Sequence, residues 1–230
     1  MNSMKRSQIN SIMRSADEFI QQRGFHLPPF AYWTPMDWDE VGDEANEIIT
    51  NRLGWDITDF GSGNFNKCGL FLFTLRNGSP DNWKNMQGKL YAEKIMVVGP
   101  DQVTPMHFHW KKMEDIINRG GGDLIVQVYN STPEEKIDFE KRVDITTDGI
   151  RRTLPPGGCI TLTPGESITL PPYCYHKFWG EDGRVLVGEV SMVNDDQHDN
   201  RFADPSGRFP ALDEDELPLY YLVSDYSRFE

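Results

Sequence analysis

The sequence predicts a mainly β protein, an antiparallel sandwich or barrel with N-terminal helices packed on its outside. Two features of the chain carry that expectation. From Gly61 onward, short runs rich in β-branched and aromatic residues are broken by turn signals at Asn77-Gly78, Asp148-Gly149, Pro156-Gly157-Gly158, Pro164-Gly165 and Asp182-Gly183. Many short strands at roughly even spacing are the mark of all-β folds. Before Gly61 the apolar residues follow a helical period instead. The expected division is a helical extension, residues 1–60, packed on a barrel, residues 61–230, within one structural domain.

In Ser3–Arg23 the residues Ile9, Ile12, Met13, Ala16, Phe19 and Ile20 fall on one apolar stripe, and Gly24 is placed to stop the helix. A Pro-rich connector, His26–Pro35, follows. A second helix is expected over Asp43–Leu53, where Ala45, Ile48, Ile49 and Leu53 share a face and Gly54 ends it. Tyr32, Trp33, Trp38 and Trp55 could line a sugar-stacking surface, but a hydrophobic lid over the barrel or a subunit contact is the preferred reading. Strands are expected at Gly69–Arg76, Lys89–Val98, Met106–Lys112, Asp123–Tyr129 and Lys141–Thr146. Further strands are expected at Gly158–Thr163, Glu166–Leu170, His176–Trp179 and Arg184–Met192. In the tail, Asp195–Glu230, the acidic run Asp213–Glu216 reads as a solvated turn. The aromatics Tyr220, Tyr221, Tyr226 and Phe229 read as packing back on the barrel.

At 230 residues, 38% hydrophobic and 12% aromatic, the chain is long and apolar enough to bury a substantial core. A net charge of −13 weighs against nucleic acid or an anionic membrane as partner and leaves a neutral substrate open. The N-terminal stretch lacks the apolar core of a signal peptide, and no run approaches the length of a membrane span. Cys68, Cys159 and Cys174 have no CxxC spacing and read as small thiols of a reducing cytosol, so a cytoplasmic location is expected. The sequons at Asn77 and Asn130 then carry no weight.

The most informative stretch is TPMHFHWKKMEDIINRGGG, Thr104–Gly122. In a strand, residues i and i+2 share a face with Cα atoms about 6–7 Å apart, so His107 and His109 can converge on one cation. Glu114 can close the site from the side, and His176 is the well-placed histidine elsewhere in the chain. Three imidazoles and one carboxylate suit a borderline divalent metal such as Mn, Fe, Co, Ni or Zn. As ordinary core histidines, the three would leave Glu114 buried without a partner. His198 reads as an exposed loop residue and His26 as inert.

With Gly165–Gly180, this stretch resembles the two-motif signature of cupins. His107, His109, Glu114 and Gly121 match the first motif, and Gly165, Pro171 and His176 match the second. Tyr173 and Gly180 depart from the usual glycine and asparagine, and the leading glycine is displaced to Gly99. Within cupins the chain is similar to the D-lyxose ketol-isomerase family in WDITDFG at Trp55–Gly61, YAEKIM at Tyr91–Met96 and GEVSMVNDD at Gly188–Asp196. The resemblance implies a double-stranded β-helix, or jelly-roll, barrel. It also implies a manganese-dependent aldose–ketose isomerase acting on D-lyxose and D-mannose.

Such a reaction moves a proton between C1 and C2 through an enediol whose oxygens carry developing negative charge. It therefore needs a carboxylate base and a donor beyond the metal ligands. Glu189 and Lys94 are the choices, with Lys111, Lys112 and Asp199 in reserve, and Trp110, Lys112 and Asp199 as substrate contacts. Either choice has a plainer reading: Lys94 could face solvent, and Glu189 could pair with an arginine such as Arg201. A homodimer is expected from the apolar helix and exposed-looking aromatics. Rival functions are an Fe(II) cupin dioxygenase, a non-catalytic sugar- or metal-binding cupin, and a phosphosugar isomerase. The abundance of acid/base candidates weighs against the first two, and the lack of a basic phosphate cradle against the last.

Overall fold

The computed structural model describes residues 4–206 and 212–229. Ser3, where the expected first helix begins, and Glu230 lie outside them. In chain order the strands are β1 (Met4–Lys5), β2 (Gly54–Thr58), β3 (Leu70–Arg76), β4 (Tyr91–Val98), β5 (His107–Phe108), β6 (Glu114–Ser131) and β7 (Ile137–Asp138). They continue as β8 (Val143–Thr147), β9 (Ile150–Leu154), β10 (Cys159–Leu162), β11 (Ser167–Leu170), β12 (Cys174–Met192), β13 (Arg201–Phe202) and β14 (Leu212–Asp213). The α-helices are α1 (Arg6–Gln22), α2 (Pro35–Val41), α3 (Asn46–Thr50) and α4 (Pro80–Asn85). No described helix is long and apolar enough to cross a membrane.

The main sheet runs β2-β3-β4-β12-β6-β11-β8-β9, its neighbouring strands antiparallel, and curls around one core. Alternation along each strand decides what faces in. Leu70 and Leu72 of β3, Met96 and Val98 of β4, Ile116 of β6 and Val185 and Val187 of β12 share the enclosed core with Ile168 and Leu170. The intervening residues, Phe71, Phe73, Ile95, Val97 and Leu186, face out and are covered by Ile9, Met13, Ala16, Phe19 and Ile20 of α1. The expected helix is therefore present, with its apolar stripe on the sheet. Burying several such side chains at about 1.5–3 kcal/mol each is what fixes α1 there.

Several local expectations change. Asp43–Leu53 is a 3-10 turn, Gly42–Ala45, running into the short α3, and α2 precedes them. The sheet begins at Gly54, in β2, ahead of the texture change at Gly61. The segments His176–Trp179 and Arg184–Met192 belong to one strand, β12. Asp182-Gly183 makes a bulge within it, where the register with β6 shifts between Glu181 and Val185. Gly121 lies against that bulge with φ +114°, and a Cβ there would sit 2.1 Å from the Arg184 carbonyl oxygen. β6 and β12 pair along nearly their whole lengths, so Gly120–Gly122, which lies outside the expected strands, is continuous strand.

The aromatic expectations resolve into burial. Trp55 is 2% exposed and stacked on Tyr220, with ring centroids 5.8 Å apart. Trp38 is 3% exposed and packs against Tyr226 and Phe229. Trp55, with Tyr32 and Tyr220 beside it, joins the layer under α1, on the outer sheet face, and offers no sugar surface. The acidic run Asp213–Glu216 is exposed, as expected, and it also serves the start of α1. Helix α1 has no side-chain N-cap and no acidic residue in its first turn. Asp215 accepts from the Ser7 backbone N–H at 2.9 Å, and Glu214 and Asp225 grip the fully buried Arg6 guanidinium.

Candidate metal and catalytic site

Four short stretches bring the chemistry together on the inner face of the sheet. β5 pairs with β12 so that His107 lies directly opposite His176. His109 follows two residues after His107, on the same side, and Glu114 opens β6. Each imidazole is oriented by a backbone carbonyl at its Nδ1: Pro105 for His107 at 2.8 Å, Asp199 for His109 at 2.6 Å and Cys174 for His176 at 3.0 Å. A carbonyl only accepts, so each Nδ1 carries the proton and each Nε2 turns a lone pair inward. One nitrogen from each of the three rings falls within 4.8 Å of the others.

Glu114 Oε1 points into that cluster, 3.0 Å from His176 Nε2 and 3.3 Å from His109 Nε2. Among the described residues it is the buried side-chain oxygen with no hydrogen-bond donor. Lone pairs facing lone pairs in a buried site are costly unless a cation sits among them. The residues present thus fit a divalent metal held by His107, His109, His176 and Glu114.

A second layer of charge adjoins the cluster. Glu189 of β12 stands directly across from Lys94 of β4, and both point inward, 5% and 3% exposed. Lys112 Nζ bridges the two carboxylates, 2.6 Å from Glu114 Oε2 and 2.8 Å from Glu189 Oε1, and Lys94 Nζ is 3.3 Å from Glu189 Oε1. Burial alone would raise Glu189, but Lys112 and then Lys94 hold it below the usual glutamate value. Glu93, the neighbour of Lys94, faces out and pairs with Arg76. The plainer readings of both candidates thus fail: Lys94 does not face solvent, and Arg201 pairs with Glu135 and leaves Glu189 to the lysines.

The family model for D-lyxose isomerase matches residues 4–226. The chain belongs to the D-lyxose isomerase family. It is 49% identical to the D-lyxose/D-mannose isomerase of Serratia proteamaculans, over 98% of this chain and 99% of that one. It is also 49% identical to the protein of that name from Escherichia coli O157:H7, over 98% and 100%. Identity with the D-lyxose ketol-isomerase of Cohnella laeviribosi is 29%, over 78% of this chain and 98% of that one. Among solved structures, the L-ribose isomerase of Acinetobacter sp. DL28 superposes with a TM-score of 0.60 at 14% identity, covering 92% of this chain and 99% of that one. That likeness shows the cupin fold. The protein is a sugar isomerase, and the resemblance seen in its motifs holds over the whole chain.

Around the histidines this member of the family has a narrow cavity of about 40 Å³. Its lining includes the polar Lys94, Lys112, Glu189, Asp196 and Asn200 and the apolar Phe60, Leu72, Met96, Phe178 and Phe202. Phe60 holds a left-handed backbone, φ +53°, unusual for a bulky residue. Its N–H donates to Thr58 Oγ1 at 2.9 Å, and Asp59 accepts from Gly61 and Gly63, so the loop sets that conformation.

Not every expected residue reaches this cavity. β5 is shorter than the expected strand Met106–Lys112, and Trp110 lies in a bend beyond it, packed on Phe108 and donating to Glu135 Oε1 at 2.7 Å. Asp199 is buried beneath the loop that follows His109, where its carboxylate accepts the Lys111 and Lys112 amides at 2.9 Å each and its carbonyl orients His109. It is a brace for the loop. His198 is exposed and pairs with Asp195. Tyr173, which replaces the motif's glycine, takes φ +62°, the conformation a glycine would adopt freely. Asn194, Asp196 and Phe60 were missed. The first two stand in the quoted GEVSMVNDD run, but nothing in that run says which way they point.

The charges predict how the metal-stripped protein responds to acid. Burial, then His176 and His109, holds His107 well below its ordinary value of 6.5, and burial with Lys112 lowers His109. Burial would raise Glu114, but Lys112 and His109 hold it well below 4.5. For all three groups the unfolded chain takes protons first. Stability should therefore decline as pH falls below about 6.5 and more steeply below about 4.5. Lys112 behaves oppositely: burial would lower it, Glu114 and Glu189 outweigh that, and its contribution is lost only as pH rises past 10.5. Urea unfolding of chelator-treated protein between about pH 4 and 9 checks this, and flat stability from pH 7 to 4 would contradict it.

Proposed function

We propose that the protein is a divalent-metal-dependent aldose–ketose isomerase that interconverts D-lyxose with D-xylulose and D-mannose with D-fructose. The observation that carries this is the unpartnered Glu114 Oε1 facing three imidazoles, with a buried Lys-Glu-Lys group beside it. The sugars are those named for relatives at 49% identity. His107, His109, His176 and Glu114 would hold the metal, and manganese is the one we assign. When bound, it supplies Lewis acidity that polarises the substrate carbonyl and offsets charge on the C1 and C2 oxygens.

Glu189 is ionised and close to the cluster, so it takes the proton from C2 and returns it to C1. In the aldose-to-ketose direction one proton must also reach O1 and one must leave O2. The ammonium groups of Lys94 and Lys112 flank Glu189 and are placed to exchange protons with those oxygens. The apolar residues of the lining keep water from the enediol and meet the C–H face of the sugar. Among the described residues that line the cavity there is no arginine, which disfavours a phosphorylated substrate.

The test is to strip the metal, restore Mn, Fe, Co, Ni or Zn singly, and assay without oxygen on D-lyxose, D-mannose and a hexose phosphate. We expect metal-dependent turnover of the two free sugars, highest with manganese, and little on the phosphate. Oxygen consumption coupled to product would overturn the proposal in favour of a dioxygenase. Preference for the phosphate would overturn it in favour of a phosphosugar isomerase.

A further inference from the structure

Asn77 follows β3 and precedes Gly78, and as a dipeptide the pair looks like a hairpin turn. In the structure the chain runs on into α4, and Gly78 is required because a Cβ there would lie 1.9 Å from the Lys89 carbonyl oxygen. The Asn77 amide, 5% exposed, spends both of its ends on Asn194. The Asn194 backbone N–H donates to Asn77 Oδ1 at 2.9 Å, and Asn77 Nδ2 donates to the Asn194 carbonyl at 3.0 Å. A third bond, at 3.3 Å, ties Nδ2 to the Asn51 carbonyl. Asn194 lies just past the end of β12, where strand pairing has stopped. The Asn77 side chain supplies there the two bonds a neighbouring strand would have made.

On its other side, Asn194 faces the lysines. Its Oδ1 accepts from Lys94 Nζ and lies 3.5 Å from Lys112 Nζ. The same two ammonium groups reach Glu189 Oε1. Two ammonium nitrogens and two oxygens therefore alternate around a small ring, with Glu189 on β12 and Asn194 beyond it. A flexible lysine is directed by the acceptors it meets. The place of the Asn194 oxygen is in turn set by its backbone, which Asn77 grips.

We propose that Asn77 is a positioning residue of the isomerase site, acting through Asn194 to hold Lys94 and Lys112 around Glu189. This rests on the proton-transfer role given to Glu189 above. A purely architectural Asn77 would change the fraction of folded enzyme and leave turnover per folded molecule alone. A positioning Asn77 changes kcat in folded, metal-loaded enzyme, and only as long as Asn194 is there to transmit it.

The experiment compares wild-type holoenzyme with Asn77→Ala, Asn77→Asp, Asn194→Ala and the Asn77→Ala/Asn194→Ala pair. It measures metal content, kcat and KM on D-lyxose, together with acetylation of Lys94 and Lys112 mapped by mass spectrometry. We expect full metal and little change in KM, with kcat lowered about 10–10²-fold in each alanine variant. The pair should be no worse than Asn194→Ala alone. Both lysines should be acetylated faster in Asn77→Ala than in wild type. Asn77→Asp keeps the acceptor and the shape but loses both donor bonds, so it should lose part of kcat and carries the test if the alanine variant does not fold. Additive losses in the pair, or wild-type kcat and lysine protection in the Asn77 variants, overturn the inference. Wild-type enzyme inactive on both sugars overturns the functional proposal instead, so the two failures are distinguishable.

Discussion

Glu114→Gln protein is expected to fold, to retain less than about a tenth of the wild-type metal after dialysis, and to show no measurable isomerase turnover. The reasoning starts from the two ends of this carboxylate. Oε2 is 2.6 Å from Lys112 Nζ, and Oε1 faces the Nε2 lone pairs of His109 and His176 at 3.3 and 3.0 Å. A glutamine must keep its oxygen on the ammonium and so turn its NH2 toward the imidazoles, donating where a cation would otherwise sit. The substitution thus closes the site with hydrogen bonds of its own. Glu114→Ala gives the control. It leaves Lys112 with one carboxylate where it had two, and removing one partner of a buried pair costs about 3–5 kcal/mol. Urea unfolding of the metal-free proteins should therefore rank Glu114→Gln above Glu114→Ala. Stoichiometric metal and near-normal kcat in Glu114→Gln would remove this carboxylate from the ligand set.

How far the site was legible from sequence follows from the range of the interactions. Period-2 alternation is local, so the inward aim of His107 and His109 could be read directly, as could the fact that only one of Glu93 and Lys94 points in. The choice between those two depends on which face of β4 meets the core, and that is set by β3 and β12 far away in sequence. Asp182-Gly183 carries the signal of a hairpin, but it is a bulge, because the partner of β12 on both sides is the similarly long β6. That the exposed run Asp213–Glu216 also serves α1 was not legible, because no sequence pattern shows that the start of α1 lacks a cap and that Arg6 is buried beside it. Asn77 and Asn194 stand 117 positions apart and meet only once the sheet has closed. Phe60 gives no signal at all: its aim depends on a left-handed backbone held by Thr58 and Asp59.

Glu189→Gln should keep the metal and lower kcat by about 10²–10⁴-fold. Metal retention is expected because Glu189 reaches the lysines and not the imidazole nitrogens. The loss in kcat is expected because the wild-type side chain is an ionised base, held below the usual glutamate value by Lys112 and Lys94 against the effect of burial. Glutamine keeps the shape and the acceptor oxygen but takes no proton from carbon. Lys94→Met should also keep the metal and cost at least about 10²-fold, since it removes a donor that faces Glu189. The isotope experiment separates the routes: in deuterated water the wild type should introduce deuterium at C2 of the aldose. Full retention of the substrate hydrogen would mean a hydride shift and would take the role of base away from Glu189. Near-normal kcat in Glu189→Gln would do so more directly. Asp199 could not then take over, because both of its carboxylate oxygens accept backbone amides beneath the loop that follows His109. Asp196, which lines the cavity, 3.9 Å from Lys94 Nζ, would be the carboxylate to replace next.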